Sequence, residues 1–168
     1  MAKILIADIR QGATRLSHIL AAKHTLFYGN TVESVIDLAK HNPIDLIIIG
    51  VLFDYSRMFD LVKEAKKTPE LEGVTVMGFS DEHTDMTMTS RNMLESTMHI
   101  VGASDYVDTR GMSDKEILQR INSCLLEKRT LSGKVDPMAE TPLQKRKAQE
   151  KSRGNRKVNV HSSSKVES

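Results

Sequence analysis

Residues Asp45 to Val51 read Asp-Leu-Ile-Ile-Ile-Gly-Val, with four consecutive large aliphatics and no polar alternation. Such a run leaves no face for solvent, so it predicts a strand covered on both sides, as in a parallel sheet flanked by helices. The rest of the chain must then supply neighbouring apolar strands and amphipathic helices, and both are present. Lys3 to Ala7, His24 to Tyr28, Val74 to Ser80 and Tyr106-Val107 read as further strands. Helical spacing recurs in Ala13, Leu16, Ile19 and Leu20, in Val32, Val35, Ile36 and Ala39, and in Met58, Phe59, Leu61, Val62 and Ala65. A helix is expected in the second half of the polar stretch Asp81 to His99, and a last one over Ile117, Leu118, Ile121, Cys124 and Leu125. Asn30 with Glu33, and Ser113 with Glu116, have the spacing of capping boxes. The strict alternation predicts an α/β fold, a doubly wound five-stranded parallel sheet with five helices. In such sheets the working crevice lies beyond the carboxyl ends of the strands. Here those ends are Asp8, Gly50 to Asp54, Ser80 and Asp108-Thr109.

Composition narrows the classes of function. The one cysteine, Cys124, gives neither a disulfide framework nor a thiolate metal cluster and fits a reducing, cytoplasmic setting. The N-terminal apolar run is too short for a signal peptide, and no segment is long enough to span a membrane. His18, His24, His41, His83, His99 and His161 show no metal-ligand spacing. Gln11-Gly12 alone is no phosphate-binding loop, so no cofactor is expected. Charge is unevenly placed. Ser132 to Ser168 holds 9 Lys+Arg against 4 Asp+Glu, while the rest holds 15 against 18. The expected organisation is one domain over residues 1–130 and a basic, disordered tail over 131–168.

Three stretches go further. Pro43 to Ile49, Phe59-Asp60-Leu61-Val62, and Gly102-Ala103-Ser104-Asp105-Tyr106-Val107 together resemble the receiver domain of response regulators (CheY-like) over about residues 3–128. The resemblance implies the strand order 2-1-3-4-5. It also implies a phosphorylated aspartate after the central strand, and this chain has Gly50 there. Of the two adjacent acids that hold magnesium in that family, Asp8 remains and Ile9 replaces the other. The phosphoryl-binding lysine falls on Thr109, with Arg110 after it. Ser80 and Tyr106 match the hydroxyl and the aromatic that report phosphorylation.

Magnesium needs several hard oxygen ligands, so Asp8 alone would bind it weakly. Asp54, four residues past Gly50, is expected to be a solvated loop acid rather than a substitute acceptor. The resemblance therefore implies a degenerate receiver, not an enzyme. It would signal by binding a protein partner without phosphorylation, through a face that includes Tyr106, Met93 and Met98. Met86, Met88, Met93 and Met98 form a cluster that would suit an adaptable docking surface. A homodimer through the last helices is a second arrangement that the resemblance allows. Two other readings stay open: a phosphate- or metal-responsive regulator with rearranged acids, and nucleic-acid association through the tail. The tail lacks interleaved aromatics, so any such binding would be salt-sensitive backbone attraction.

Overall fold

The computed structural model describes residues 1–81 and 85–131, with the side chains of residues 10 and 127–131 excepted. The expected basic tail lies outside the described residues. The elements are β1 (Lys3–Ala7), α1 (Arg10–Leu20), β2 (Thr25–Gly29), α2 (Val32–His41), β3 (Leu46–Gly50), α3 (Met58–Lys67), a 3-10 turn (Pro69–Leu71), β4 (Thr75–Ser80), α4 (Met88–Val101), β5 (Asp105–Asp108) and α5 (Asp114–Leu131). All pairings are parallel, in the order β2-β1-β3-β4-β5. The fold is the doubly wound α/β sheet that the alternation predicts.

Alternation along each strand divides the core in two. Leu5, Ala7, Ile47, Ile49, Val76 and Tyr106 pack under α2, α3 and α4, together with Val35, Leu61 and Met98. Ile4, Ile6, Leu46, Ile48, Met77, Phe79 and Val107 pack under α1 and α5, with Leu16, Leu20, Ile117, Ile121 and Cys124. Cys124 is thus a small core residue. β3 is buried at every position, as a central strand covered on both faces must be.

Two helix starts test the capping expectations. Ser113 behaves as expected: its amide and hydroxyl both donate to Glu116 at 2.7 Å. α2 starts one residue later than the Asn30–Glu33 spacing predicts. Thr31 is the extended cap. Its hydroxyl accepts the Ser34 amide and its amide donates to the Ser34 hydroxyl, each at 3.1 Å. Two short hydroxyls close this box within the turn, which frees Glu33 to reach Arg57 at 3.5 Å. Thr31→Ala is therefore expected to lower stability by about 1 kcal/mol, and Asn30→Ala to change it by a few tenths at most. Urea midpoints of the two variants check this.

Candidate functional site

Asp8 leaves the end of β1, and the alternation of that strand turns it to the α1–α5 side. There its carboxyl lies directly over Gly50 and against Gly12. A Cβ at Gly50 would stand 1.9 Å from Asp8 Oδ1, and one at Gly12 would stand 1.9 Å from Oδ2. The carboxyl fills the volume that any side chain at either position would need. The Ile9 amide donates to Oδ1 at 2.7 Å. No cationic side chain among the described residues pairs with it, and the charge that acts on it is Asp81, a second acid. Burial, with Asp81 adding to it against the Ile9 amide, pushes the Asp8 carboxyl up to about 7.

Between Asp8, Ile9, Val51, Leu52, Phe79 and Asp81 lies a void of about 10 Å3. That is room for one water at most, not for a phosphoryl group. Magnesium fits these residues no better. Ile9 and Gly50 offer no side-chain oxygen, and no trio of His, Cys, Asp or Glu among the described residues is placed to hold an ion. A near-octahedral oxygen shell cannot be completed here by side chains.

The other face holds a separate group. Ser80 is buried, and its hydroxyl donates to Asp108 Oδ1 at 3.4 Å. Asp108 also receives Arg91 at 2.5 Å and Arg110 at 2.9 Å. The Arg91 side chain is only 5% exposed, and its Nε donates to the Met86 carbonyl at 3.0 Å. This one guanidinium ties the start of α4 to the end of β5. Tyr106 points into the core with its hydroxyl sealed from solvent and without a hydrogen bond among the described residues. Burial raises the phenol's pKa; the Ser80 hydroxyl is near enough to oppose that rise without reaching bonding geometry.

Thr109 is buried between the two groups. Its hydroxyl donates to the Ser80 carbonyl at 3.0 Å and accepts from Arg15 at 3.3 Å. Arg15 also donates to the Met112 carbonyl at 3.2 Å and meets Asp114 at 3.6 Å. The cation that meets the Thr109 hydroxyl thus comes from α1.

The five positions expected to form one degenerate pocket fall into these two groups. Asp8, Ile9 and Gly50 meet directly, while Ser80 and Thr109 meet each other. Three expectations need correction. Tyr106, expected on the partner face, is 5% exposed and lies in the core with Met98. Asp54 is not solvated: its side chain is 8% exposed, accepting the Val32 amide and Arg57, each at 3.0 Å. It caps α2 from another loop, which its position past the strand end could not reveal. Met98 is not on an outer face. It is fully buried while Met93 is 65% exposed, because five residues turn a helix by about 140°. Ile100, seven residues on and 83% exposed, is the apolar companion of Met93 on one side of α4, while Met88, 70% exposed, lies five residues before Met93 and off that side.

Gly12, Asp81, Arg15 and Arg91 were not expected at these sites, and Asp108 was expected only as the end of a strand. The spacing of Gly12, four residues after Asp8 and one helical turn away, was the available signal for it. Nothing local distinguishes Arg91 from a surface arginine.

No protein-family model matches the chain, and no curated protein matches it in sequence. Solved structures do match. A response regulator receiver domain protein from Clostridium thermocellum superimposes with a TM-score of 0.62 at 18% identity, covering 78% of this chain and 99% of that one. A CheY-like receiver domain protein from Methanospirillum hungatei JF-1 gives 0.61 at 13%, covering 77% and 98%. A response regulator receiver modulated diguanylate cyclase from Pelobacter carbinolicus gives 0.59 at 20%, covering 79% and 98%. The chain has the fold of response regulator receiver domains, with a glycine where the end of the central strand meets the carboxyl of Asp8.

Proposed function

We propose that this chain is a signalling module of the receiver type that works by binding a protein partner and is not switched by phosphorylation. Gly50 beneath the Asp8 carboxyl carries the reading. A phosphoacceptor needs a nucleophilic side chain at the end of β3, a metal to neutralise charge and space for the phosphoryl group. Gly50 has no side chain, Ile9 removes a ligand, and the void at Asp8 is about 10 Å3. Tyr106 is already buried in the core, and Ser80 bonds to Asp108, itself held by Arg91. What is left for function is surface, and the exposed apolar pair Met93 and Ile100, seven residues and about two turns apart on one side of α4, favours a protein partner there.

Incubation of the pure protein with acetyl phosphate and magnesium tests the first half. Intact mass is expected to stay unchanged, with no amide shifts in the sheet. A stable gain of one phosphoryl group, mapped to Asp8 or Asp54, would overturn the reading.

A further inference from the structure

We propose that the groove between α2 and α3 is a docking site for one helix of a protein partner, an amphipathic segment laid antiparallel to both, with acids in its first turn and lysine or arginine in its last. This surface is separate from the exposed pair on α4. The groove holds about 800 Å3. Its walls are one face of each helix: positions 32, 33, 36, 37 and 40 of α2, and positions 57, 60, 63, 64 and 67 along α3 from its cap onward. Each helix follows one strand of a parallel sheet and leads into the next, so the two run in the same direction and bring like ends together. Both first turns are acidic, with Glu33 and Asp60. Both last turns are basic, with Lys40 and Lys67. Val32 and the half-buried Ile36 are the apolar residues of the lining.

The walls are held in place before any partner arrives. Asp54 accepts the Val32 amide and Arg57, each at 3.0 Å, and Arg57 reaches across to Glu33 at 3.5 Å. A preformed groove loses little binding free energy to ordering. The chemistry of the lining selects the occupant. Glu33, Asp37, Asp60 and Glu64 all face it, so a polyphosphate chain or an anionic lipid surface meets repulsion along its length. An extended peptide finds helix side chains here and no strand edge, so its amides and carbonyls would lose water without gaining partners. A helix has those groups satisfied internally. Helices also favour acids at their start and bases at their end. Laid antiparallel, such a helix sets its acids on Lys40 and Lys67 and its bases on Glu33 and Asp60; laid parallel, it sets like charges together. Its contacting edge is narrow, with aliphatic residues at three- and four-residue spacing to meet Val32 and Ile36. Each wall helix has 10 residues, about 15 Å, so about three turns of the partner engage.

Two synthetic helical peptides of about 18 residues test the groove, each built on alanine with leucines along one edge. One carries glutamates in its first turns and lysines in its last; the other has the two exchanged. Each is titrated into the full chain while amide spectra are recorded. The glutamate-first peptide is expected to shift the amides of Ile36, Lys40, Asp60 and Lys63 saturably, and the exchanged peptide to bind about tenfold more weakly. Raised salt is expected to shrink that preference. In a chain carrying Lys40→Glu and Lys67→Glu the preference is expected to disappear, which separates the charge of the groove from any difference in the peptides' own helicity. Equal binding of both peptides by the wild type overturns the proposal, and so does a preference that survives in the double variant. Saturable shifts at Met93 and Ile100 in place of the groove, or none with either peptide, also overturn it. Groove amides that move with protein concentration alone would give the groove to a second copy of the chain and overturn it too.

Discussion

Asp8→Asn is expected to make the protein more stable at pH 8 by roughly 2–4 kcal/mol, and to change it little below pH 4. The carboxyl ionises near 3.8 when unfolded and near 7 when folded. Between those values the folded state holds a proton that the unfolded state has released. Stability from this group is therefore fully present below 3.8, falls as pH rises, and is gone above about 7. The full interval corresponds to roughly 4 kcal/mol, and solvent screening at the rim reduces it. An amide at this position has the same shape and cannot ionise, so it escapes the loss. Urea unfolding of both proteins at a series of pH values should show curves that meet in acid and separate steadily until about neutrality. Parallel curves would mean that the carboxyl is solvated in the folded state.

The Arg91–Asp108 pair should respond asymmetrically. Asp108→Asn takes the carboxylate from a guanidinium that is 5% exposed, and the expected loss is about 3 kcal/mol, at the low end for breaking a buried pair. Arg91→Met removes the buried charge itself, keeps much of the volume and leaves Asp108 paired with Arg110 at 2.9 Å. Its expected loss is about 1 kcal/mol or less, because replacing a buried ion by an apolar side chain is often close to neutral. Thermal and urea unfolding of the two variants give the comparison. Equal losses would show that the pair acts as an exposed one.

The sheet was legible because burial leaves a periodic trace. Leu46 to Ile49 are apolar on both faces, and Leu16 with Leu20 or Val35 with Ala39 repeat at helical spacing. The vacancy at Gly50 was legible too, because the absence of a side chain is a local fact. What filled that vacancy was not. The carboxyl of Asp8 reaches Gly50 from a neighbouring strand, and Gly12 closes the cage from a helix. Such contacts depend on which face each strand end presents, and they leave no mark in the spacing of any one segment. Asp54 misled for the same reason, and Arg91 drew no expectation at all. Both carry charges that composition assigns to the surface, and both find partners far along the chain that allow them to be buried. The cap of α2 is a smaller case: Asn30 and Thr31 are both good caps, and backbone angles at Thr31 decided between them.

The turn after β3 has a mechanical consequence. Asp54, Tyr55 and Ser56 stand in succession at φ values of 44°, 55° and 68°, where side chains other than glycine are held at an energetic cost. They are kept there from both ends. Asp54 is bolted to the first turn of α2 through Val32 and to the start of α3 through Arg57, which also grips Glu33 and Asp60. α2 and α3 thus share one tie at Asp54 and Arg57. On the opposite face, Arg15 rivets α1 to the β5–α5 connection. With both flanks braced, freedom at this end of the sheet narrows to the short gap between the braces, where Ile9, Leu52 and Asp81 meet.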